Sequence, residues 1–256
     1  MGIRISFSKP PGQGLTYGLA FVGGFGDAAG FVLASTFTGH ITGNLVLAAV
    51  STAAGDWLTT LIRLSAIGAF LAGIFLSVAC ARLTASRQWP PLVAAFVGEV
   101  VLISAGSLTL MSHTATGIEI FVLCLSLALG LQNGAFRRVG GISIHTTYLT
   151  GMLTGLMVTE SEKLFSQPSS AATTQDQRAR LLYGIWVSFF LGAATGAALV
   201  LRFKEAGMLA VVLVLMVLIV RTLLSEQISP GQLPRSQGYP VTTGANDLNV
   251  SGRKEK

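Results

Sequence analysis

The sequence predicts an all-α fold, a polytopic membrane helix bundle of two inverted repeats, each with three spans and one short re-entrant segment. Three observations predict it: the composition, the lengths of the apolar segments and a set of features that occurs twice in the same order. The 256 residues are 51% hydrophobic and 11% charged, and the mean hydropathy is +0.66. Soluble domains carry about 25% charged residues, so this chain lacks the polar surface that a water-soluble protein needs.

Six segments are long enough to cross a bilayer, because about 20 apolar helical residues span ~30 Å of hydrocarbon. They are residues 15–37, 60–82, 91–111, 117–136, 181–202 and 206–225. Two further apolar segments, 42–55 and 145–159, would form helices only about 20 Å long. We therefore expect these two segments to enter the membrane and leave it on the same side.

The distribution of basic residues favours six crossings over eight. With six crossings and a cytoplasmic N-terminus, 14 of the Lys and Arg residues are cytoplasmic and 3 lie outside, whereas eight crossings give 11 and 6. An excess of Lys and Arg on the cytoplasmic side is typical of inner-membrane proteins. We expect the protein in the bacterial cytoplasmic (inner) membrane with both termini in the cytoplasm. Eight crossings with two thin, tilted helices are the alternative.

The predicted transmembrane domain covers residues 15–225, with repeats at 15–111 and 117–225, between a cytoplasmic N-terminus (1–14) and a disordered cytoplasmic tail (226–256). Residues 160–180 are polar and are predicted to be a linker. The net charge of +6 is spread in ones and twos between apolar runs, so it indicates topology and a lipid partner rather than nucleic acid. Cys80 and Cys124 have no metal-ligand spacing, and we expect no disulfide, metal or cofactor. Homo-oligomerisation is left open.

The two halves of the chain contain the same features in the same order. GFGD (24–27) precedes TGN (42–44), Phe70-Leu71 and Arg82, while GLQN (130–133) precedes Thr150-Gly151, Phe190-Leu191 and Arg202. An odd number of crossings in each half turns the second copy upside down. The two short segments are then expected to meet near the bilayer midplane from opposite faces.

Polar residues inside apolar segments mark the predicted site. Asp27 lies midway along the first span, where a carboxylate costs at least about 2.5–3.5 kcal/mol on insertion scales. Its counterpart in the second half is Asn133, which lies beside Gln132. We interpret these residues as a centre that binds solute or ions. A structural hydrogen-bond network that clamps the re-entrant segments is the alternative.

The short segments supply the remaining residues of the predicted solute site, which are Thr42, Gly43, Asn44, Thr147, Thr150 and Gly151. Thr and Asn cap helix starts, and the N–H groups exposed there suit an anionic or polar solute. His40 and His145 precede these motifs, and Glu99 is alone in the third span, so these three are the predicted proton-coupling residues. Satisfied interfacial histidines and pairing of Glu99 with a basic residue are the alternatives.

Four stretches of the sequence resemble the YoaK-like family of bacterial integral membrane proteins, a domain of unknown function. They are GDAAGF (26–31), FTGHITGN (37–44), GLQNGAFRR (130–138) and TTYLTG (146–151), and their order fits the family along residues 15–225. The resemblance implies several helical spans and a transporter-like protein. It carries over no catalytic or substrate-binding residue.

These features together predict a small-solute membrane permease with a polar site at the midplane, with proton coupling as an option. No nucleophile elbow, zinc motif or P-loop is present in the sequence, so we expect no enzyme. A passive channel, a membrane-embedded enzyme and an accessory subunit are the alternatives.

Overall fold

The computed structural model describes residues 12–85, 91–136, 138–139, 142–143, 149–165 and 172–227. These residues form eight α-helices, one short β-hairpin and one 3-10 turn. In chain order they are α1 (Gln13–Ala34), α2 (Ile41–Ala53), α3 (Trp57–Ala85), α4 (Pro91–Leu110), α5 (Ala115–Ala135), β1 (Arg138–Val139), β2 (Ile142–Ser143), α6 (Leu149–Phe165), α7 (Ala172–Phe203), the 3-10 turn (Lys204–Met208) and α8 (Leu209–Gln227). The predicted helical fold class is confirmed, and the β1–β2 hairpin is an addition that the sequence did not indicate.

Each apolar segment predicted from the sequence corresponds to one helix, but the linker prediction for residues 160–180 is wrong. Helix α6 continues to Phe165 and α7 begins at Ala172, so helix occupies both ends of this polar stretch. In this stretch polar residues extend both helices beyond their apolar runs. A search for apolar runs therefore does not detect these parts of the helices. The N-terminal residues 1–11 and most of the predicted tail lie outside the described residues.

Five stretches of the described residues are long and apolar enough to cross a membrane. Four of them are α1, α3, α4 and α5, and the fifth, Asp176–Leu224, is 49 residues long and contains both α7 and α8. The apolar helices α2 and α6 are too short to belong to this set. The described helices therefore comprise six long ones and two short ones, as the lengths of the apolar segments predicted.

Close glycine contacts join the long helices into two parallel pairs. A Cβ atom on Gly24 of α1 would collide with the Phe189 carbonyl of α7, and one on Gly196 would meet Phe25. In the other pair, Gly73 of α3 lies against the backbone of α5 at Gly130, and Gly134 lies against Ser77. In each pair residue numbers rise together along both helices, so α1 is parallel to α7 and α3 is parallel to α5. Small residues permit this approach of two backbones.

The two pairs meet where α1 crosses α5, and there the helices are antiparallel. The Gln132 side chain donates from Nε2 to the Leu19 carbonyl over 3.0 Å, and a Cβ on Gly26 would contact Leu129. Helix α4 is also antiparallel to α5, because Gly98 contacts Leu131 and Gly106 contacts Cys124. Helix α8 is antiparallel to α1, since Gly18 contacts Leu218 and the earlier Gly14 lies next to the later Arg221, and α4 contacts α8.

These directions define two ends of the bundle. We call the end at which α1 begins the lower end and the end at which it finishes the upper end. Helices α1, α4 and α7 run from the lower to the upper end, and α3, α5 and α8 run back. Because α5 finishes and α7 begins at the lower end, the chain between them, which includes α6, starts and finishes at the same end.

Helix α2 forms a hairpin with α3 at the upper end. The hydroxyls of Thr52 and Thr60 are 3.3 Å apart, and the Thr60 hydroxyl lies 3.5 Å from the Ala48 carbonyl. The connecting turn contains Gly55 at φ +76°, a conformation that glycine adopts without steric cost. Hydrogen bonds from Thr59 hold the pKa of the exposed Asp56 carboxyl below its usual range.

Because α2 and α3 form a hairpin, α2 is antiparallel to α3. Helix α2 therefore points in the same direction as α1 and finishes at the same end.

Two glycines of α3 provide a test of the parallel pairs. Alanine at Gly73 would overlap the backbone of α5, and overpacking of this kind costs about 1–3 kcal/mol. We expect Gly73→Ala to lower the melting temperature of the purified protein in detergent. Gly68 of the same helix has no atom within contact of an added Cβ, so Gly68→Ala should leave the melting temperature unchanged or raise it. Equal effects of the two substitutions would contradict the packing.

Candidate functional site

The Asp27 carboxylate, from the middle of α1, holds the loop that precedes α2. Its Oδ1 atom accepts backbone hydrogen bonds from Thr38 (3.0 Å), Gly39 (2.5 Å) and His40 (3.2 Å). The Thr38 hydroxyl lies 3.4 Å from the same oxygen. Asp27 is buried, and its second oxygen, Oδ2, has no hydrogen-bond partner among the described residues. One carboxylate oxygen thus satisfies three successive N–H groups at the start of a helix, where such groups have no partner within the helix.

The Asn44 side chain holds the same loop from the α2 side. Its Oδ1 accepts from the Phe37 amide (2.9 Å) and its Nδ2 donates to the Phe37 carbonyl (2.6 Å). Asn44 is fully buried, and the pair of bonds satisfies both polar groups of one loop peptide. The loop is therefore fixed between Asp27 below it and Asn44 beside it.

The prediction that Thr42 and Asn44 cap α2 locally is wrong. The residue at the N-cap is His40, whose side chain makes no capping hydrogen bond, and Thr42 is exposed. The cap comes instead from Asp27, fourteen positions before Ile41. The sequence does not show this, because a cap from another helix leaves no local spacing. Gly43 is needed for packing, since an added Cβ would overlap His40 and approach Phe37.

Arg63 of α3 is a further residue of this loop site, and we did not predict it from the sequence. Its guanidinium donates to the Leu47 carbonyl (2.7 Å), to the Ser51 hydroxyl and to the Ser35 carbonyl (3.4 Å). It therefore joins α3 to α2 and to the end of α1. The available signal was its position inside the apolar segment 60–82, where an arginine needs a specific partner.

The residues predicted from the second half are placed differently from Asp27. Asn133 donates from Nδ2 to the Leu129 carbonyl of its own helix (2.9 Å). Because Gln132 contacts Leu19, eight residues before Asp27, the levels of Asp27 and Asn133 differ by about 12 Å along the bundle at 1.5 Å per residue. The structure does not join these two side chains into one pair. Thr150 is exposed and Gly151 is half-buried on α6, and His145 and Thr147 lie outside the described residues.

Glu99 is fully buried on α4, and neither of its carboxyl oxygens has a hydrogen-bond partner among the described residues. Gly106, seven residues later on the same helix face, contacts α5, so Glu99 lies on the stripe of α4 that faces α5. Its neighbour Gly98 contacts Leu131, which places Glu99 close to the level of Gln132. An unpaired charge in such surroundings costs several kcal/mol, so the neutral, protonated acid is the form that fits.

The described residues offer no site for a metal ion. They contain no group of three or more His, Cys, Asp or Glu side chains that could coordinate one. Neither Cys80 nor Cys124 forms a disulfide within the part of the chain that the structure describes. The polar groups of the site are carboxyl, amide, hydroxyl and backbone N–H groups, which form hydrogen bonds.

Comparison with known proteins assigns the chain to a family. Residues 15–221 match the family described as "Protein of unknown function (DUF1275)". The chain belongs to this family. It is also 25% identical, over 166 residues, to the UPF0700 transmembrane protein YoaK of Bacillus subtilis (strain 168), an alignment that covers 64% of this chain and 74% of that protein. No solved structure matches the chain. The resemblance to the YoaK-like family is thus confirmed, and the chain is a membrane protein of the DUF1275 family.

Removal of the Asp27 carboxylate tests the loop site. Asp27→Ala leaves the N–H groups of residues 38–40 without their acceptor, and each unsatisfied buried donor costs about 1–3 kcal/mol. We expect a lower melting temperature and faster hydrogen exchange in a peptide that contains residues 36–44. Asp56→Ala is the control, because Asp56 accepts one N–H in an exposed turn, and it should leave that peptide unchanged. Unaltered exchange in Asp27→Ala would contradict the observed bonds.

Proposed function

We propose that this DUF1275 protein is a small-solute permease of the bacterial cytoplasmic membrane. The observation that carries the proposal is the loop held by Asp27 and Asn44, with its hydrogen-bonded backbone at mid-bundle depth. Irregular backbone at this depth is tolerated only where it is buried in protein or lines a water-filled cavity. Interrupted helices whose ends lie near the bilayer midplane are characteristic of the sites of secondary transporters.

We further propose that the two halves are inverted repeats with exchanged partners. The first helix of each half packs on the second long helix of the other half: α1 on α7, and α5 on α3. Glycines support both contacts, with Gly24 and Gly192 in one and Gly130 and Gly73 in the other. The directions of the long helices support the inversion, because α1, α3 and α4 run opposite to α5, α7 and α8 respectively.

In this proposal α2 and α6 are re-entrant, and the lower end faces the cytoplasm. For α2, the support is that its start lies at the level of Asp27 while its end forms the upper turn with α3. Among the described residues, five arginines lie at or near the lower end, namely Arg82, Arg138, Arg178, Arg180 and Arg221, whereas Arg63, Arg202 and Lys204 lie near the upper end. The positive-inside rule then favours a cytoplasmic lower end. This orientation also places the start of α1 and the end of α8 on the cytoplasmic side.

Glu99 is the proposed proton-binding group of the permease. A buried acid without a partner is kept in membrane proteins mainly where it takes part in function. Protonation makes Glu99 neutral in the closed bundle, and release of that proton requires water to reach the α4–α5 contact. Proton movement would thus be tied to a change at α5, the helix that also carries Asn133. Asp27 and Asn44 are then positioning residues, because their bonds hold the loop.

Proteoliposomes that contain the pH dye pyranine test this function. Small polar solutes, both uncharged and anionic, are added outside one class at a time under an inward proton gradient. We expect at least one class to accelerate acidification of the interior with the unchanged protein. Glu99→Gln should abolish this acidification, because the amide cannot carry the proton, while Glu119→Gln, which changes a half-buried carboxyl near the start of α5, should retain it.

Other outcomes favour the alternative functions. Solute entry without acidification in both the unchanged protein and Glu99→Gln indicates a passive channel. Unchanged proton movement in Glu99→Gln removes the assigned role of Glu99. Independently of any solute, infrared spectra recorded against pH should show the carbonyl band of a protonated carboxylic acid that Glu99→Gln removes. An accessory subunit would move no solute of any class, and the substitutions would then mainly change the expression level of the protein.

A further inference from the structure

Two buried hydroxyls outside the predicted site have no hydrogen-bond partner among the described residues. They belong to Thr16 of α1 and Ser126 of α5, and both residues are fully buried. Hydroxyls on helices usually bond to a carbonyl one turn earlier in their own helix, as Thr222 does to Leu218. A buried hydroxyl without any bond costs free energy, so the location of these two groups calls for an explanation.

Thr16 lies on the same face of α1 as Asp27. The spacing of Thr16, Ala20, Gly23 and Asp27 is i, i+4, i+7, i+11, which is one helix face. This face lies between the residues that contact α5 and those that contact α7, and it points away from Gly18, which contacts α8. Asp27 meets the loop of residues 38–40 on this side of the helix.

Ser126 lies on the corresponding face of α5. It is seven residues before Asn133, so the two share a face, and this face points away from Cys124, which contacts α4 through Gly106. Helices α4 and α8 contact each other, so they cover one side of the α1–α5 pair. The faces of Thr16 and Ser126 are both turned to the other side, which we call the loop side.

Along the bundle, the two hydroxyls lie near the two levels of the predicted site. Gly26 contacts Leu125 and Leu129, so Ser126 lies close to the level of Asp27. Leu19 meets Gln132, so Thr16 lies close to the level of Asn133. The loop side therefore carries two polar levels, which are about 10 Å apart along α5 (Ser126 to Asn133) and about 16 Å apart along α1 (Thr16 to Asp27). Each level combines one residue of α1 with one of α5.

We propose that Thr16 and Ser126 line the solute path on the loop side of the α1–α5 pair and that this path takes small, hydrogen-bonding solutes without a negative charge. The inference rests on the proposed function and deepens it. Asp27 already occupies the N–H groups at the start of α2 that would otherwise bind an anion. Its remaining oxygen, with the Thr16 and Ser126 hydroxyls, provides hydrogen-bond acceptors and donors for a solute. The negative charge of the same carboxylate repels an anion.

Cysteine reactivity tests this path without knowledge of the solute. Ser126→Cys and Thr16→Cys are made singly in protein that carries Cys80→Ser and Cys124→Ser, and they are treated in proteoliposomes with a cationic methanethiosulfonate. The control is Cys80→Ser alone, which keeps the native Cys124. Cys124 is on α5, two residues from Ser126, on the α4 side, and it is more exposed than Ser126. A dry, closed bundle would therefore make Cys124 at least as reactive.

We expect both introduced cysteines to react at least about tenfold faster than Cys124, because the path opens to water. A rate at either position that does not exceed that of Cys124 overturns the path. An anionic methanethiosulfonate, with each rate divided by that reagent's rate on a free thiol in solution, should be slower than the cationic one at Ser126→Cys. An equal or faster anionic rate overturns the exclusion of anionic solutes.

The outcome is separable from that of the proposed function. If the cysteines react but the protein moves no solute with protons, the water-accessible face is supported and the permease is contradicted. If the cysteines do not react but the protein couples solute to protons, the permease is supported and this path is contradicted.

Discussion

Backbone N–H groups at membrane depth must find an acceptor within the protein, and this constraint organises the described part of the bundle. The chain turns at residues 35–40 and begins a new helix at the level of Asp27, where water is not the default partner. Asp27 supplies the acceptor for three N–H groups, and Asn44 satisfies the Phe37 peptide. Arg63 then ties the end of α1 to α2 and α3. The remaining features of the site follow from where this loop lies.

The same carboxylate explains why a charged residue occupies the first span while an amide occupies the corresponding position of α5. Asn133 bonds to its own helix, whereas Asp27 bonds to a loop with three donors. A neutral acceptor at Asp27 would meet those donors with weaker hydrogen bonds, since bonds to a charged acceptor are about twice as strong. The Asp27 charge is therefore directed at backbone donors that would otherwise be available to an anion, and the solute that we propose carries no negative charge.

Much of the fold could be predicted from the sequence because hydrophobic segment length is a strong signal in membrane proteins. The helices α1 to α5, α7 and α8 lie within a few residues of the predicted segments, except that α7 begins earlier. Site residues were harder to predict, because their roles depend on contacts between distant helices. Asp27 and Asn44 were identified as unusual, but the cap from Asp27 to residues 38–40 has no local signature. Thr16 and Ser126 were missed for a similar reason, since a hydroxyl in a helix is ordinary until its lack of a partner is seen.

The account depends most directly on α2 entering and leaving at the upper end, which side-specific labelling can measure. Single cysteines at Gly12, at the start of α1, and at Ala54, after α2, are placed in protein that lacks Cys80 and Cys124. A membrane-impermeant thiol reagent is then applied to right-side-out and to inside-out vesicles. The proposed topology predicts that the two positions are labelled from opposite sides, because one crossing, α1, separates them. Labelling of both from the same side would mean that α2 crosses the membrane, and it would contradict the account.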